Sequence, residues 1–576
     1  MNAERLLQLY EKIADAPDAV ARLRRFILDL AVRGKLVPQD PADEPADELL
    51  KRIAAEKASL LSAGKIKKEK QLPAVQESDF DIPTSWQWTR LGIVTSYIQR
   101  GKSPKYTSDG SFVVSQRCVQ WSGLDLSVAK QITMESLAQY EGVRFLRDND
   151  LLWNSTGTGT IGRVVRLIDP PAQLVCDSHV TVVRCLEADA DYICLWLRSD
   201  HVYGLIEGRA AGSTNQVELT AQMAVNQTVP LPPLAEQHRI VAKVDELMAF
   251  CDQLEAARAE REVKRDRLTA ANLARLNSPD LETFRDDARF ALDALPALTA
   301  RPDQIKRLRQ AILNLAVRGK LVTQDPKDEP AAELLVRARA EVVKQTKIRP
   351  SDMADAGSVN DKQAVAGRIP SGWVKAKISS VLISSFYGPR FNAEDYRNEG
   401  IPTVRTTDMT SDGRIEFRDP PRVAVPADRL EDFRCKDGDL LVTRTGSIGT
   451  MALFLGDEVA IPSAYLIRLR FSSQVSPRYM HLALRSPDGQ AALGLGTTKV
   501  AQPNINARAL ADIGLRLPPL AEQYRILSRV DELMDLCDQL EESLTTADET
   551  RRKLLDALLA EALAPVNAEG LQEAAE

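Results

Sequence analysis

The chain contains its own longest phrases twice, and this duplication limits what it can fold into more than any other feature. Leu231–Glu255 reads LPPLAEQHRIVAKVDELMAFCDQLE, and Leu517–Glu541 reads LPPLAEQYRILSRVDELMDLCDQLE. RRFILDLAVRGKLVPQDPADEPADELL from Arg24 returns as RQAILNLAVRGKLVTQDPKDEPAAELL from Arg309, and IPTSW from Ile82 returns as IPSGW from Ile369. The copies lie about 286 residues apart and keep one order, so the chain is an internal duplication and a pseudo-twofold molecule is expected. Between the repeated phrases, the stretches from about Ile82 to Pro230 and from about Ile369 to Leu517 have equal length but little identity. Repeated frames around divergent inserts imply one scaffold that presents two different surfaces.

A chain of 576 residues exceeds one hydrophobic core, so three or more domains are expected. The formal charge of -6 argues against a uniformly basic nucleic-acid binder and leaves local patches open. The second divergent stretch is the more Arg-rich, with Arg390, Arg397, Arg405, Arg414, Arg418 and Arg422. The seven cysteines form no CxxC pair, and Cys251 and Cys537 occupy equivalent helical positions, so core thiols in a reducing compartment fit best. Met1 is followed by polar, charged residues and no run approaches a membrane span, from which a cytoplasmic protein is expected.

After Pro232-Pro233 the pattern turns helical. Ile240, Val244, Leu247, Cys251 and Leu254 recur at spacings of four and three, as do Ile526, Val530, Leu533, Cys537 and Leu540. The first helix meets no firm stop before Asn277-Ser278-Pro279, and the second continues through Leu554, Leu555, Leu558 and Leu559. Two helices of roughly 44 residues, each about 65 Å long at 1.5 Å per residue, are expected to pack antiparallel as a rod. That length compares with roughly 20 base pairs of B-DNA. Upstream, Leu23, Phe26, Ile27 and Leu30 form an apolar stripe stopped by Gly34, repeated by Leu308, Ile312, Leu315 and Gly319. The expected fold is α+β: two mixed α/β domains joined by two long antiparallel coiled-coil helices. The expected divisions are a helical arm over 1–80, a variable domain over 81–230 and a long helix over 231–278. A second arm with its linker covers 279–368, a second variable domain 369–516, a second long helix 517–563 and a flexible tail 564–576.

Several motifs promise chemistry and fail on context. Gly157-Thr158-Gly159-Thr160-Ile161-Gly162 has the spacing of a dinucleotide loop, but Arg163–Ile168 reads as a second strand rather than the helix a phosphate site needs. Asp169-Pro170-Pro171-Ala172 and Asp419-Pro420-Pro421-Arg422 share the opening of an adenine-methyltransferase loop but lack its aromatic residue. His179 near Cys176 has no paired sulfur ligands, so a structural role is expected. No P-loop, H-E-x-x-H or paired-carboxylate nuclease site is visible, and the chemistry is expected to belong to a partner.

The frames resemble the specificity subunits of type I restriction-modification systems. The matching features are IPTSW and IPSGW opening each variable domain, DLLWNSTGTGTIG and DLLVTRTGSIG within it, and the LPPLAEQ phrases leading into long helices. The GKLV-QDP-DEPA-ELL segments resemble the extended arms of a longer branch of that family. The resemblance implies a non-catalytic subunit whose two target-recognition domains each read half of a split double-stranded DNA sequence, with the helices fixing the spacer. It implies two methyltransferase partners and motor-nuclease (restriction/translocase) subunits. S-adenosylmethionine, ATP and Mg would belong to those partners, with no cofactor or metal bound here. A coiled-coil adaptor without sequence readout is the alternative.

Base or backbone contacts are expected first at the mid-domain turns: Asn154, Ser155, Thr156 and Thr158, with Thr443, Arg444, Thr445 and Ser447. Asn and Arg suit bidentate contacts to adenine and guanine, and Ser and Thr suit bases or phosphates. Closing a β-turn is the competing role. Lys102, Ser103, Lys105 and Arg117 in one domain and Arg390, Arg405 and Lys499 in the other are expected phosphate contacts, with Thr214 and Asn215 placed like Thr497 and Thr498. One mismatch stands out: Gly101-Lys102-Ser103-Pro104 is close to the family's turn, whereas the second copy has Phe386-Tyr387-Gly388-Pro389-Arg390. The LAVRGKLV arms and the outer faces of the long helices are the expected docking surfaces for partners.

Overall fold

The computed structural model describes residues 16, 18–66, 72–75, 80–157, 159–210, 218–277, 283–346, 369–445, 449–495 and 505–563. The linker expected at the end of the second arm, before residue 369, and the tail 564–576 lie outside them. The chain divides into two compact units, one of residues 1–260 and 548–576, the other of residues 261–547.

In the first unit, Gln87–Arg90 pairs antiparallel with Thr228–Leu231, so the strand after IPTSW lies against the strand that enters LPPLAEQ. In the second, Val374–Lys377 pairs with Gly514–Leu517 in the same register. The repeated phrases therefore bracket each divergent stretch because its entrance and exit are one two-stranded ribbon.

Inside each bracket the sequence diverges but the strand order does not. The larger sheet of the first unit runs Thr95–Arg100, Val180–Cys185, Asp150–Asn154, Val164–Arg166, all antiparallel. That of the second runs Leu382–Tyr387, Leu466–Phe471, Leu440–Thr443, Met451–Leu453. The smaller sheets also correspond: Val175–Cys176, Ser111–Val114, Lys130–Ile132, Tyr106–Thr107 against Ile461–Pro462, Ile401–Val404, Arg422–Val423, Tyr396–Arg397. Each contains one parallel pair, so the sheets are mixed. The glycine-rich GTGTIG segment joins Asp150–Asn154 to Val164–Arg166 as strand, turn and strand, as its flanking residues predict.

The long helices span Leu234–Leu276 and Leu520–Leu563, 43 and 44 residues. Ile240, Val244 and Cys251 are at most 3% exposed and join the arm residues Ile27, Ala31, Leu49 and Ile53 in one core with Trp86, Trp153 and Trp196. Ile526, Val530 and Cys537 do the same with Ile312, Ala316, Leu334 and Trp373. The opening turns of each apolar seam thus face the core of their own unit, and the 3.6-residue period follows from that one-sided burial. All seven cysteines are free, and burial pushes the thiols of Cys251 and Cys537 up. The last turns of the second helix belong to the first unit, where Leu555 and Leu558 pack on Ala16 and Ala19.

The arms are Ala19–Val32 with Ala46–Ser62, and Pro302–Val317 with Ala331–Thr346. Gly34 and Gly319 end the first helix of each at φ +67°, the left-handed cap geometry only glycine takes freely. A Cβ there would lie 2.4 Å from Pro83 or 2.3 Å from Pro370, so the glycine of LAVRGKL is shaped to the proline of IPTSW or IPSGW.

The repeated polar letters hold these pieces together. Glu236 accepts from Trp86 Nε1 at 3.0 Å and from Gln39 of the arm at 2.7 Å, while Glu522 accepts from Trp373 at 3.0 Å and Gln324 at 3.0 Å. Gln237 and Gln523 accept the backbone N–H of Asp189 (2.8 Å) and Ser476 (2.9 Å), residues that cap the next helix. Arg239 forms a fork with Asp43, and Arg525 with Asp328. Arg24 reaches Asp252 and Glu255, and Arg309 reaches Asp538 and Glu541. At these positions the side chains of the arms and long helices are spent within their own unit.

Candidate nucleic-acid interface

Three loops of the first variable domain meet at the end of its larger sheet. The strand Thr95–Arg100 leaves through Gly101–Lys105, the strand Asp150–Asn154 leaves through Ser155–Gly157, and Val180–Cys185 is entered through Asp177–His179. Gly101 N–H donates to the Val180 carbonyl at 3.0 Å, and Ser155 N–H to that of His179 at 2.9 Å. A Cβ on Gly101 would sit 2.1 Å from the Asp177 oxygen, so this crossing requires glycine.

The second domain repeats the crossing. Gly388 N–H donates to Leu466 O at 3.1 Å, Arg444 N–H to Tyr465 O at 3.0 Å, and a Cβ on Gly388 would lie 2.0 Å from Ser463 O. Tyr387-Gly388-Pro389 therefore stands where Arg100-Gly101-Lys102 stands, and the apparent mismatch in the motif leaves the essential glycine in place.

The expected contact residues separate into braces and exposed groups. Asn154 is fully buried; its amide donates to the carbonyls of Gln116 (2.9 Å) and Thr160 (3.1 Å), which ties the turn to the neighbouring loop. Ser155 is also fully buried and shares a hydrogen bond with Thr181. Thr443, the counterpart of Asn154, is buried and donates to Thr450 O at 3.1 Å. These three close the turn, the competing role that the sequence leaves open, and offer no exposed edge to a base. Arg405 is likewise committed within the domain: it forks onto buried Asp408 and donates to the carbonyls of Arg418 and Asp419. Burial pushes the Asp408 carboxyl up, but hydrogen bonds from Arg405 and the backbone hold it below the usual carboxylate range.

Other residues do reach the surface. Thr156 is half-buried and bonds His179 Nδ1 at 2.7 Å and Gln116 Oε1 at 3.3 Å. Ser103 is exposed and donates to Ser178 Oγ at 2.9 Å, which draws the Lys102–Lys105 loop and the mid-domain turn together around Ser178-His179. Lys102 donates to Gln139 O at 3.0 Å, and Lys105, Arg117 and Arg390 are exposed. Arg444 lays its guanidinium 5.0 Å from the Tyr387 ring centroid, and Thr445 follows it half-buried. Thr158, Thr214, Asn215, Ser447 and Lys499 lie outside the described residues.

The structure adds residues that the sequence did not single out for contact. Tyr106 donates to Asp177 Oδ2 at 3.2 Å under the ammonium of Lys130, 4.4 Å from the ring centroid. Burial, reinforced by Asp177, pushes the Tyr106 hydroxyl up to about 12. The Asp177 carboxyl is itself raised by burial, against the lowering bond from His179 N–H. His179 and Tyr465 occupy one position, an exposed ring immediately before a buried strand. That pattern is visible in the letters as His-Val-Thr-Val-Val and Tyr-Leu-Ile-Arg-Leu, but only the strand register shows that both rings stand beside the turn. Cys176 is buried, and burial drives its thiol well up; among the described residues no cluster of His, Cys, Asp and Glu is placed to hold a metal ion. No described helix is long and apolar enough to cross a membrane.

The model of the type I restriction modification DNA specificity domain matches this chain twice, over residues 86–265 and 370–547. The chain is 31% identical over 575 residues to the type I restriction enzyme EcoEI specificity subunit of Escherichia coli, covering 94% of each. It is 30% identical to the EcoAI specificity subunit of the same organism over 94% of this chain and 93% of that one. Among solved structures, the HsdS subunit from Thermoanaerobacter tengcongensis matches 85% of this chain and 99% of that one at 17% identity and a TM-score of 0.45. The twofold domain match and the near-full-length relatives place the chain in the family of type I restriction-modification DNA specificity subunits.

Proposed function

We propose that the chain is the sequence-reading subunit of a type I restriction-modification complex, with each variable domain reading one half of a divided double-stranded DNA target. One observation carries this reading: two domains of the same strand order meet the surface through the same backbone crossing and place different side chains on it. A short readout of a few base pairs discriminates weakly, and two such readouts joined on one scaffold multiply their selectivity. Exposed Lys105, Arg117 and Arg390 are suited to phosphates, and Thr156, Arg444 and Thr445 to base edges.

The chain itself performs no chemistry in this proposal. Two methyltransferase subunits and motor-nuclease subunits dock on the two like frames, and S-adenosylmethionine, ATP and Mg are theirs; the assembly is cytoplasmic. The long helices act as the ruler between half-sites. Selection of the assembled methyltransferase on randomised DNA tests the reading. A divided consensus is expected, and selection without sequence preference in either half overturns it. Mass measurement at saturating methyltransferase is expected to give two copies per chain, and one copy would contradict the symmetric docking.

A further inference from the structure

We infer that His179 reads a base carrying an exocyclic amino group, adenine or cytosine, in the half-site of the first domain, and that Tyr465 is the corresponding reader in the second. The inference rests on the DNA-reading function proposed above and deepens it. The two residues are equivalent by bonding: each lends its carbonyl to the N–H of the residue at the mid-domain turn, Ser155 or Arg444. Each directly precedes a fully buried residue, Val180 or Leu466, yet is itself exposed, Tyr465 at 61%. The backbone at this point is therefore fixed by the sheet while the ring faces outward, and the ring is what changes between copies. A rigid backbone with a variable exposed side chain is the arrangement a readout position needs.

The hydrogen bonds around His179 also determine what it offers. Thr156 Oγ1 donates to Gln116 Oε1, which only accepts, at 3.3 Å. With the hydroxyl proton directed at Gln116 Oε1, Thr156 Oγ1 accepts from His179, and this assignment puts the proton of the 2.7 Å bond on Nδ1. In the neutral ring Nε2 then bears a lone pair, and it has no partner among the described residues. The Gln116 side chain has its own fixed seat, because Gly157 leaves the space where a Cβ would approach Gln116 Oε1 to 2.6 Å. Asp177 Oδ1 holds the His179 N–H at 2.9 Å, and the Ser103–Ser178 bond lies one residue away. An acceptor presented in this way is matched in the major groove by adenine N6 or cytosine N4, and repelled by guanine O6 and thymine O4.

The test is selection from randomised DNA by the full chain assembled with the methyltransferase of its own system. The wild type is expected to choose adenine or cytosine at one position of the first half-site. His179→Ala is expected to flatten that position by between about fivefold and about 150-fold, leaving the second half-site unchanged. Tyr465→Ala is expected to flatten a position in the second half-site only. Thr156→Val, which removes the hydroxyl that fixes the ring, is expected to admit guanine or thymine at the same first-half position; it carries the test should His179→Ala fail to assemble. Uniform weakening by His179→Ala with every preference retained would overturn the inference while leaving the divided target standing. A wild-type complex that selects no divided target would remove the function reading and this inference with it.

Discussion

The frame and the loop crossings of this protein have both been copied, and they have kept different things. In the frame, the bonds themselves recur: Trp86 and Gln39 on Glu236, Trp373 and Gln324 on Glu522, with the Arg239–Asp43 fork matched by Arg525–Asp328. At the crossings only the backbone bonds recur, and the positions of Asn154-Ser155-Thr156 are taken in the second copy by Thr443-Arg444-Thr445. In the frame, side chains are held constant where a buried polar partner would otherwise be stranded; at the crossings the backbone bonds hold the strands together, and the side chains, buried Asn154, Ser155 and Thr443 among them, differ. The same rule acts within the divergent domains. Asp150, fully buried, takes a two-pronged bond from Arg184 and caps Arg147 N–H; Asp439, 1% exposed, takes one from Arg470 and caps Lys436 N–H.

Breaking those buried pairs is the strongest challenge to the comparison. Asp150→Ala and Asp439→Ala each take a buried carboxylate away from a partly buried arginine and from the backbone N–H it caps, and are expected to cost about 3 kcal/mol, read as a lowered denaturant midpoint. Near-neutral values in both copies would show that the repeated bonds are not what holds the domains. Arg444→Ala comes next. If its guanidinium reads guanine, about 1–3 kcal/mol of discrimination is lost at one base of the second half-site, with the first unaffected. A uniform loss of affinity with unchanged preference would make Arg444 a phosphate clamp and weaken the contrast drawn here.

The frame carboxylates sharpen the comparison through pH. Burial pushes Glu236 and Glu522 above the ordinary glutamate range, against the lowering bonds from Trp86 and Gln39 in one copy and Gln324 and Trp373 in the other. A carboxyl raised in the folded state binds more protons there than when unfolded. Its contribution is full below the unfolded value and is lost as pH rises through the folded one. Glu236→Gln and Glu522→Gln are expected to flatten that decline equally, measured as melting temperature against pH. A change in one copy alone would mean that the equal bonds conceal unequal environments. The smallest effect is expected at Arg390→Ala: binding weakens across all sequences, and the salt-dependence slope falls by about one.

Much of this was legible in the letters. The duplication, the helix lengths and the strand-turn-strand reading of GTGTIG follow from repeats, spacing and β-branched runs, signals that are local in the chain. The roles at the surface were less accessible, since they depend on register. Asn154 looks like an adenine reader until its amide is seen tied to Gln116 and Thr160, and Arg405 looks like a free cation until Asp408 closes on it. Gly388 hides because its neighbours changed, while the carbonyl it must approach did not. Burial and strand pairing assign these roles, and neither is written at the position concerned.

The central claim is that one repeated frame carries two independent readers, and sequencing of modified DNA tests it most directly. Comparison of cells with and without this gene is expected to reveal a single adenine-methylation motif that vanishes with it, divided into two short half-sites by a fixed gap. The same measurement on Arg444→Ala is expected to alter one half-site and leave the other and the gap untouched. An undivided motif, or a change in both halves from that one substitution, would contradict the account.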